Sequence, residues 1–191
     1  SPIATLFPGY FALVMATGII AVGASQQKIV WLPEALYAIA AVTYVTLAVL
    51  LLWRLAVASK LLAADITSHA KGFAFLTTVA ATNVLGSASV VIHTWWTVGW
   101  VLWWFSLGLW IFFVYATLFA VVLKGPKPGI DKGINGTWFL LTVSTESVVV
   151  LGALLLGRHP SDLLAFALIA PFGLGLVLYL IVMTMVFLRW T

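Results

Sequence analysis

The sequence predicts an all-α polytopic membrane protein with six transmembrane helices, and three observations lead to this fold class. Of its 191 residues, 64% are hydrophobic. Only 7% are charged, against about 25% in an ordinary soluble domain. Six apolar stretches reach the length of about 20 residues that a helix needs to cross a bilayer. These observations exclude a soluble globular domain and a disordered chain.

The six stretches are continuous apolar runs, without the alternation of apolar and polar residues that marks a membrane barrel strand. The first run opens with Pro8-Gly9, and the fourth is rich in tryptophan, which suits packing or contact with lipid. Pro171 in the last run predicts a kink, because proline removes a helical hydrogen bond. The predicted spans are residues 6–24, 32–56, 72–91, 97–123, 137–156 and 162–188.

Charge and rare residue types exclude further classes. The net charge is +4 and no run of basic residues occurs, so no nucleic-acid partner is expected. The absence of cysteine removes disulfides, thiolate metal sites and iron–sulfur clusters. His69, His93 and His159 lie near span ends and not in facing pairs, so we expect no metal site and no cofactor. No catalytic set of side chains shares one membrane depth, so an enzyme is not predicted.

Lysine and arginine near the span ends predict the orientation. Two of them, Lys28 and Arg158, fall on one side. The other side carries Arg54, Lys60, Lys71, Lys124, Lys127, Lys132 and Arg189. By the positive-inside rule, both ends of the chain are expected in the cytoplasm. Residues 124–133 form a predicted turn-rich linker, and Arg54 is expected either to snorkel to the interface or to attract anions at a pore mouth.

The odd-numbered spans resemble one another. Each begins with a glycine and an aromatic residue and reaches a small residue followed by threonine at mid-span. These pairs are Ala16-Thr17, Ala81-Thr82 and Ser144-Thr145. A period near 64 divides the single transmembrane domain into three two-helix hairpins, approximately residues 1–64, 65–130 and 131–191.

Each hairpin holds two spans, so successive hairpins enter the membrane in the same direction, which makes the repeat parallel. Parallel hairpins around an axis normal to the membrane build a ring with one helix of each pair inside. The odd spans are the predicted inner helices because they carry the larger polar faces, and such faces must meet helices or water. Taken together, the polar side chains of the odd spans favour a pore. Any single hydroxyl, by contrast, can bond its own backbone or a neighbouring helix. The faces are Thr78, Thr82 and Ser89 in the third span, and Thr142, Thr145 and Glu146 in the fifth.

Three groups of motifs resemble the tellurite-resistance/C4-dicarboxylate transporter family, which includes plant slow-type anion channels and fungal sulfite exporters. They are PGYFALVMATGII at residues 8–20, GFAF at 72–75 with TNVLG at 82–86, and NGTWFL at 135–140 with VLG at 150–152. The resemblance implies hairpins around a pseudo-fivefold axis, with odd helices lining an anion pore and even helices outside. It also implies homo-oligomers, typically trimers with one pore per protomer. We expect an integral protein of a bacterial plasma membrane that binds small inorganic or organic anions.

Members of that family have ten spans, and the six spans here resemble the first three of five hairpins. The aromatic gate of the family's ninth helix would lie beyond Thr191, so no gating phenylalanine is assigned. Three hairpins alone would leave polar inner faces towards lipid. We therefore expect further chain or a partner subunit to close the ring, and a shortened homologue is the alternative.

Glu146 is the most informative residue, because it is the one carboxylate clearly at mid-membrane. A charge at the bilayer centre costs at least about 2.5–3.5 kcal/mol, so this side chain is expected to face the protein interior or a cavity. It is either a pore-facing protonatable group or a carboxyl bonded across helices to a threonine or to Asn83. Gly18, Asn83 and Glu146, each following an aligned threonine, are expected at one level of the ring. The predicted pore lining is Thr17, Gly18, Thr78, Thr82, Asn83, Thr142, Thr145 and Glu146.

Two functions remain open from the sequence. The first is a passive or proton-linked membrane channel or transporter for an anion of the dicarboxylate, sulfite, tellurite or halide class. The alternative is an accessory membrane subunit of a larger complex with no transport of its own. The polar odd spans and the family resemblance favour the first, and the six-span length favours the second.

Overall fold

A computed structural model of the chain describes residues 2–123, 129 and 133–189. Six long α-helices make up most of this part of the chain, and no strand occurs within it. Counted with short 3₁₀ turns that precede three of them, all six are long and apolar enough to cross a membrane. The predicted all-α class with six spans is therefore confirmed. The helices are α1 Ala12–Gln26, α2 Leu32–Ile66, α3 Leu76–His93, α4 Trp96–Leu123, α5 Leu140–Arg158 and α6 Asp162–Leu188.

A four-residue 3₁₀ turn leads directly into each odd helix. The turns are Pro8–Phe11, Gly72–Phe75 and Gly136–Phe139, so successive turns begin 64 residues apart. Each turn buries at least one aromatic side chain, and the third is capped by Asn135, whose side chain accepts the backbone N–H of Thr137 at 2.9 Å. These buried aromatic rings therefore anchor the start of each odd helix against the rest of the protein.

The spacing of the turns also indicates which residues would correspond in the predicted repeat. The second and third turns begin with glycine, whereas Gly9 is the second residue of the first turn. On the 64-residue spacing, Thr82 and not Asn83 is the counterpart of Gly18 and Glu146. The expected level of Gly18, Asn83 and Glu146 is thus out of register by one residue in the second hairpin.

The central helix is α3, which is the most buried of the six. It packs between α1 and α5. Helix α2 packs across α1 and α3, helix α4 across α3 and α5, and helix α6 against α5. The odd helices therefore form an inner row and the even helices an outer layer, which exposes many large apolar side chains. Closure into a fivefold ring stays a prediction.

Tryptophans of α4 join the outer layer to the inner row. The indole N–H of the buried Trp103 donates to the carbonyl of Val148 in α5 at 2.9 Å. The indole of Trp110 donates to the hydroxyl of Thr145, also at 2.9 Å. By contrast, Trp104 is 62% exposed. The tryptophan-rich span thus combines packing with a surface suited to lipid.

Helix α2 is longer than predicted because it continues beyond a kink. Its backbone leaves helical geometry at Ala58, with φ −141° and ψ 37°, and resumes as far as Ile66. The predicted end at residue 56 falls next to this kink. Helix α6, in contrast, is one continuous helix through Pro171. The predicted linker at residues 124–133, with Lys124, Lys127 and Lys132, lies outside the described residues except for 129 and 133.

Arg54 ties the kinked end of α2 to the segment before α1. Its side chain is buried, and its three nitrogens all donate hydrogen bonds. The acceptors are the carbonyls of Ala4 at 2.9 Å and Leu6 at 2.8 Å, and the carboxylate of Asp65 at 2.5 Å. Lys71 lies 3.0 Å from the other oxygen of the same carboxylate. Arg54 therefore neither snorkels to the interface nor faces a pore mouth, and both expectations for it are wrong.

Candidate functional site

The inner row borders a cavity of about 940 Å³ between α1, α3 and α5. It extends along α1 from Ala12 to Gln26. Most of its lining is aliphatic, and within the described residues no lysine, arginine or histidine lines it. The polar side chains on its wall are Gln26, Asn83, Ser87, Thr142, Glu146 and Ser147.

Asn83 organises the polar part of the wall by bonding to two helices at once. The hydroxyl of Ser106 in α4 donates to its side-chain oxygen at 2.6 Å. Its amide nitrogen donates to the hydroxyl of Ser147 in α5 at 3.0 Å, and that hydroxyl donates to the carbonyl of Ser144 at 2.7 Å. Because the amide carries two N–H groups, this chain of bonds fixes the side chain and leaves one donor available.

Glu146 is half-buried on the cavity wall. Its Oε1 is buried without a hydrogen-bond partner, and the carboxyl lies against Gly175 of α6. The sequence left open a bond from this carboxyl to Asn83. The two bonds that Asn83 makes run to Ser106 and Ser147 instead.

Thr142 lies one helical turn before Glu146 and lines the same cavity. Its hydroxyl oxygen is also buried without a partner. A hydroxyl can donate one hydrogen bond and accept two. Thr142 and Asn83 therefore place two neutral polar groups with unused hydrogen-bonding capacity at the cavity wall, next to one titratable carboxyl.

Of the eight predicted lining residues, the structure brings Asn83, Thr142 and Glu146 together on the cavity wall. The other five are not among the residues that line it. Gly18 packs against Val84, where an added Cβ would lie 2.6 Å from Val84 Cγ1.

The remaining four are threonines whose hydroxyls bond within or between helices. Thr17 and Thr78 donate to carbonyls of their own helical segments, at 2.8 and 2.6 Å. Thr82 donates to the carbonyl of Thr78 and lies 2.8 Å from the hydroxyl of Tyr44 in α2. Thr145 donates to the carbonyl of Leu141 at 2.7 Å and receives the indole N–H of Trp110. These groups have protein partners, and a pore lining by them stays a prediction.

Sequence reasoning missed three polar residues of the wall, Gln26, Ser87 and Ser147. Two of them could have been found from their spacing to Asn83 in the sequence. Ser87 lies four residues after Asn83, on the same helical face. Ser147 lies 64 residues after Asn83, at the corresponding position of the next hairpin.

Residues 5–191 match the family model described as voltage-dependent anion channel. No curated protein and no solved structure matches the chain significantly.

Proposed function

The chain belongs to the voltage-dependent anion channel family, and on that premise we propose that the cavity between α1, α3 and α5 is part of its anion path. The family is one of membrane anion channels and transporters, which agrees with six helices apolar enough to span a bilayer. The observation that carries the proposal is the composition of the cavity wall. Neutral polar groups of the inner helices lie on it, and no lysine, arginine or histidine is among the described residues that line it.

Neutral donors suit an anion that must pass through and not stay. A cationic side chain in an apolar cavity would hold an anion strongly, whereas amide and hydroxyl donors replace part of its hydration and allow it to leave. We propose that the second N–H of Asn83 and the hydroxyl of Thr142, neither of which has a hydrogen-bond partner among the described residues, supply such donors. The substrates we propose are small anions of the dicarboxylate, sulfite, tellurite or halide class.

We further propose an assembly in which inner helices enclose the path completely. The described inner row has three helices, and α1 and α5 each pack extensively against α3 and not against each other. Additional inner helices, from further chain or from partner subunits, would complete a ring. Protomers are proposed to form trimers, with both ends of this segment in the cytoplasm of a bacterial plasma membrane.

The proposal is tested by anion flux in proteoliposomes that contain the purified protein. Val150 lines the cavity and is 55% exposed, so tryptophan at this position fits without disturbing a packed core and fills part of the path. Val49 on the outer helix α2 is 56% exposed and provides the same exchange away from the cavity. We expect Val150→Trp to lower chloride, nitrate, sulfite or malate flux severalfold and Val49→Trp to leave it unchanged. Absence of flux for all four anions in the wild type, or equal loss in both variants, would contradict the proposal.

A further inference from the structure

Two glycines lie within the contact between the inner helix α5 and the outer helix α6. A Cβ added at Gly152 of α5 would lie 2.6 Å from Leu168 of α6. A Cβ added at Gly175 of α6 would collide with Oε1 of Glu146 in α5 and lie 2.7 Å from its Cδ. The first glycine thus receives an aliphatic side chain, whereas the second receives a carboxyl group.

The closest neighbours of Gly175 belong to one side chain. The three heavy atoms nearest to the added Cβ are Oε1, Cδ and Cγ of Glu146. On the same helix, a Cβ added at Gly173 would meet nothing within 4 Å. The close approach at Gly175 is therefore particular to this position and is not a general feature of α6.

We infer that Gly175 is a positioning residue that sets how far the Glu146 carboxyl extends into the cavity. Because Gly175 has no side chain, the carboxyl can turn towards α6, where its Oε1 is buried. Any side chain at position 175 would occupy this space. The carboxyl would then have to move, and the open direction is the cavity that Glu146 already borders.

This inference rests on the proposed anion path and identifies how an outer helix controls it. A carboxylate that extends into the path repels an anion, and the repulsion is strong where little water screens it. The outer helix would therefore regulate flux through the position of one inner side chain, without lining the path itself.

The test compares Gly175→Ala with Gly173→Ala, in the wild type and in Glu146→Ala. We expect Gly175→Ala to lower chloride flux in proteoliposomes by about fivefold, which corresponds to about 1 kcal/mol. Gly173→Ala should leave flux unchanged. In the Glu146→Ala background, where the colliding atoms are absent, Gly175→Ala should also have no effect. A loss of flux that persists in that background, or an equal loss with Gly173→Ala, would overturn the inference.

A second readout does not depend on flux. Labelling of Glu146 by a water-soluble carbodiimide with an amine, followed by mass spectrometry, reports how accessible the carboxyl is. We expect Gly175→Ala to increase the labelling and Gly173→Ala to leave it unchanged. Increased labelling in a protein without flux would support the positioning role while refuting the proposed function, whereas unchanged labelling would overturn the positioning role alone.

Folding of the variants provides a further criterion. If Gly175→Ala fails to fold, the Glu146→Ala/Gly175→Ala double variant should fold, because the collision has been removed. Failure of both would show that Gly175 is needed for packing that does not involve Glu146, and would overturn the inference.

Discussion

The side-chain amide of Asn83 donates a hydrogen bond to the hydroxyl of Ser147, 3.0 Å away, and these residues lie 64 positions apart in the chain. Helices α3 and α5 begin at Leu76 and Leu140, which is the same interval. Two residues separated by the interval of the predicted repeat therefore contact each other on the cavity wall. Such a contact is what the predicted repeat would produce if its hairpins were related by rotation about an axis along the helices, without axial shift.

The Asn83–Ser147 bond is expected to stabilise the inner row. Asn83→Ala and Ser147→Ala should each lower the free energy of unfolding by about 1 kcal/mol, with a coupling energy of about 0.6 kcal/mol, the average for bonds between membrane helices. Equilibrium unfolding in detergent micelles of both single variants and the double variant measures the coupling. Thr46→Ala is the control, because the Thr46 hydroxyl bonds only the carbonyl of Val42 in its own helix. Losses that simply add would contradict a direct bond.

The charge of Glu146 is expected to make anion flux depend on pH. The carboxyl becomes negative as pH rises, so wild-type flux should fall between pH 5 and pH 8 as repulsion increases. Glu146→Gln keeps the shape without the charge, so its flux should remain level and exceed that of the wild type at pH 8. Glu34→Gln is the matched control, since the Glu34 side chain is 60% exposed and does not line the cavity. Wild-type flux that is constant over this pH range would refute the role of Glu146.

Two glycines of α1 are expected to respond in opposite ways to leucine. Gly18 faces Val84 of α3, so Gly18→Leu should separate the helices and lower the free energy of unfolding by about 1–3 kcal/mol, the usual cost of overpacking. Gly23 lines the cavity, and an added Cβ there meets nothing within 4 Å. Gly23→Leu should therefore preserve stability and reduce flux. Thermal unfolding and proteoliposome flux of both variants test this pair, and the reverse pattern would contradict it.

Arg54 is expected to hold the N-terminal segment in place. Arg54→Gln removes a buried charge with three acceptors, so we expect a loss of about 3 kcal/mol in the free energy of unfolding, typical of breaking a buried charged network. Protease cleavage within residues 2–11 should also become faster. Lys60→Gln removes an equal charge from an exposed position of the same helix and should change neither. Equal effects of the two substitutions would indicate that net charge, and not the buried contact, matters.

The spans and their order could be predicted from the sequence because hydropathy alone selects them. The polar faces could not be assigned, because a hydroxyl in a membrane helix can bond to water or to another helix, and both cases give the same periodicity in the sequence. Thr82 and Ser89 illustrate this. Both were expected on the inner face, and they lie 2.8 and 2.9 Å from the hydroxyls of Tyr44 and Tyr37 in α2.

Asn83 and Glu146 could be selected from the sequence because an amide and a carboxyl are rare at mid-membrane and must have a structural cause. Gly175 could not, because its role depends on which side chain of another helix faces it. The role of Arg54 could not be predicted for a similar reason. The positive-inside rule counts charges near span ends, and it contains no information about backbone carbonyls 48 and 50 residues earlier in the chain.

The same Arg54 contacts impose an order on biosynthesis. The carbonyls of Ala4 and Leu6 are made about 50 residues before the guanidinium that binds them, and this interval takes about 3–10 s at usual rates of translation. During that time the N-terminal segment has no Arg54 to bind. It can dock only after α2 has been synthesised as far as its kink, and the Asp65 contact forms later still. The first hairpin is thus complete only when Arg54 becomes buried, several seconds after the segment that it binds has been synthesised.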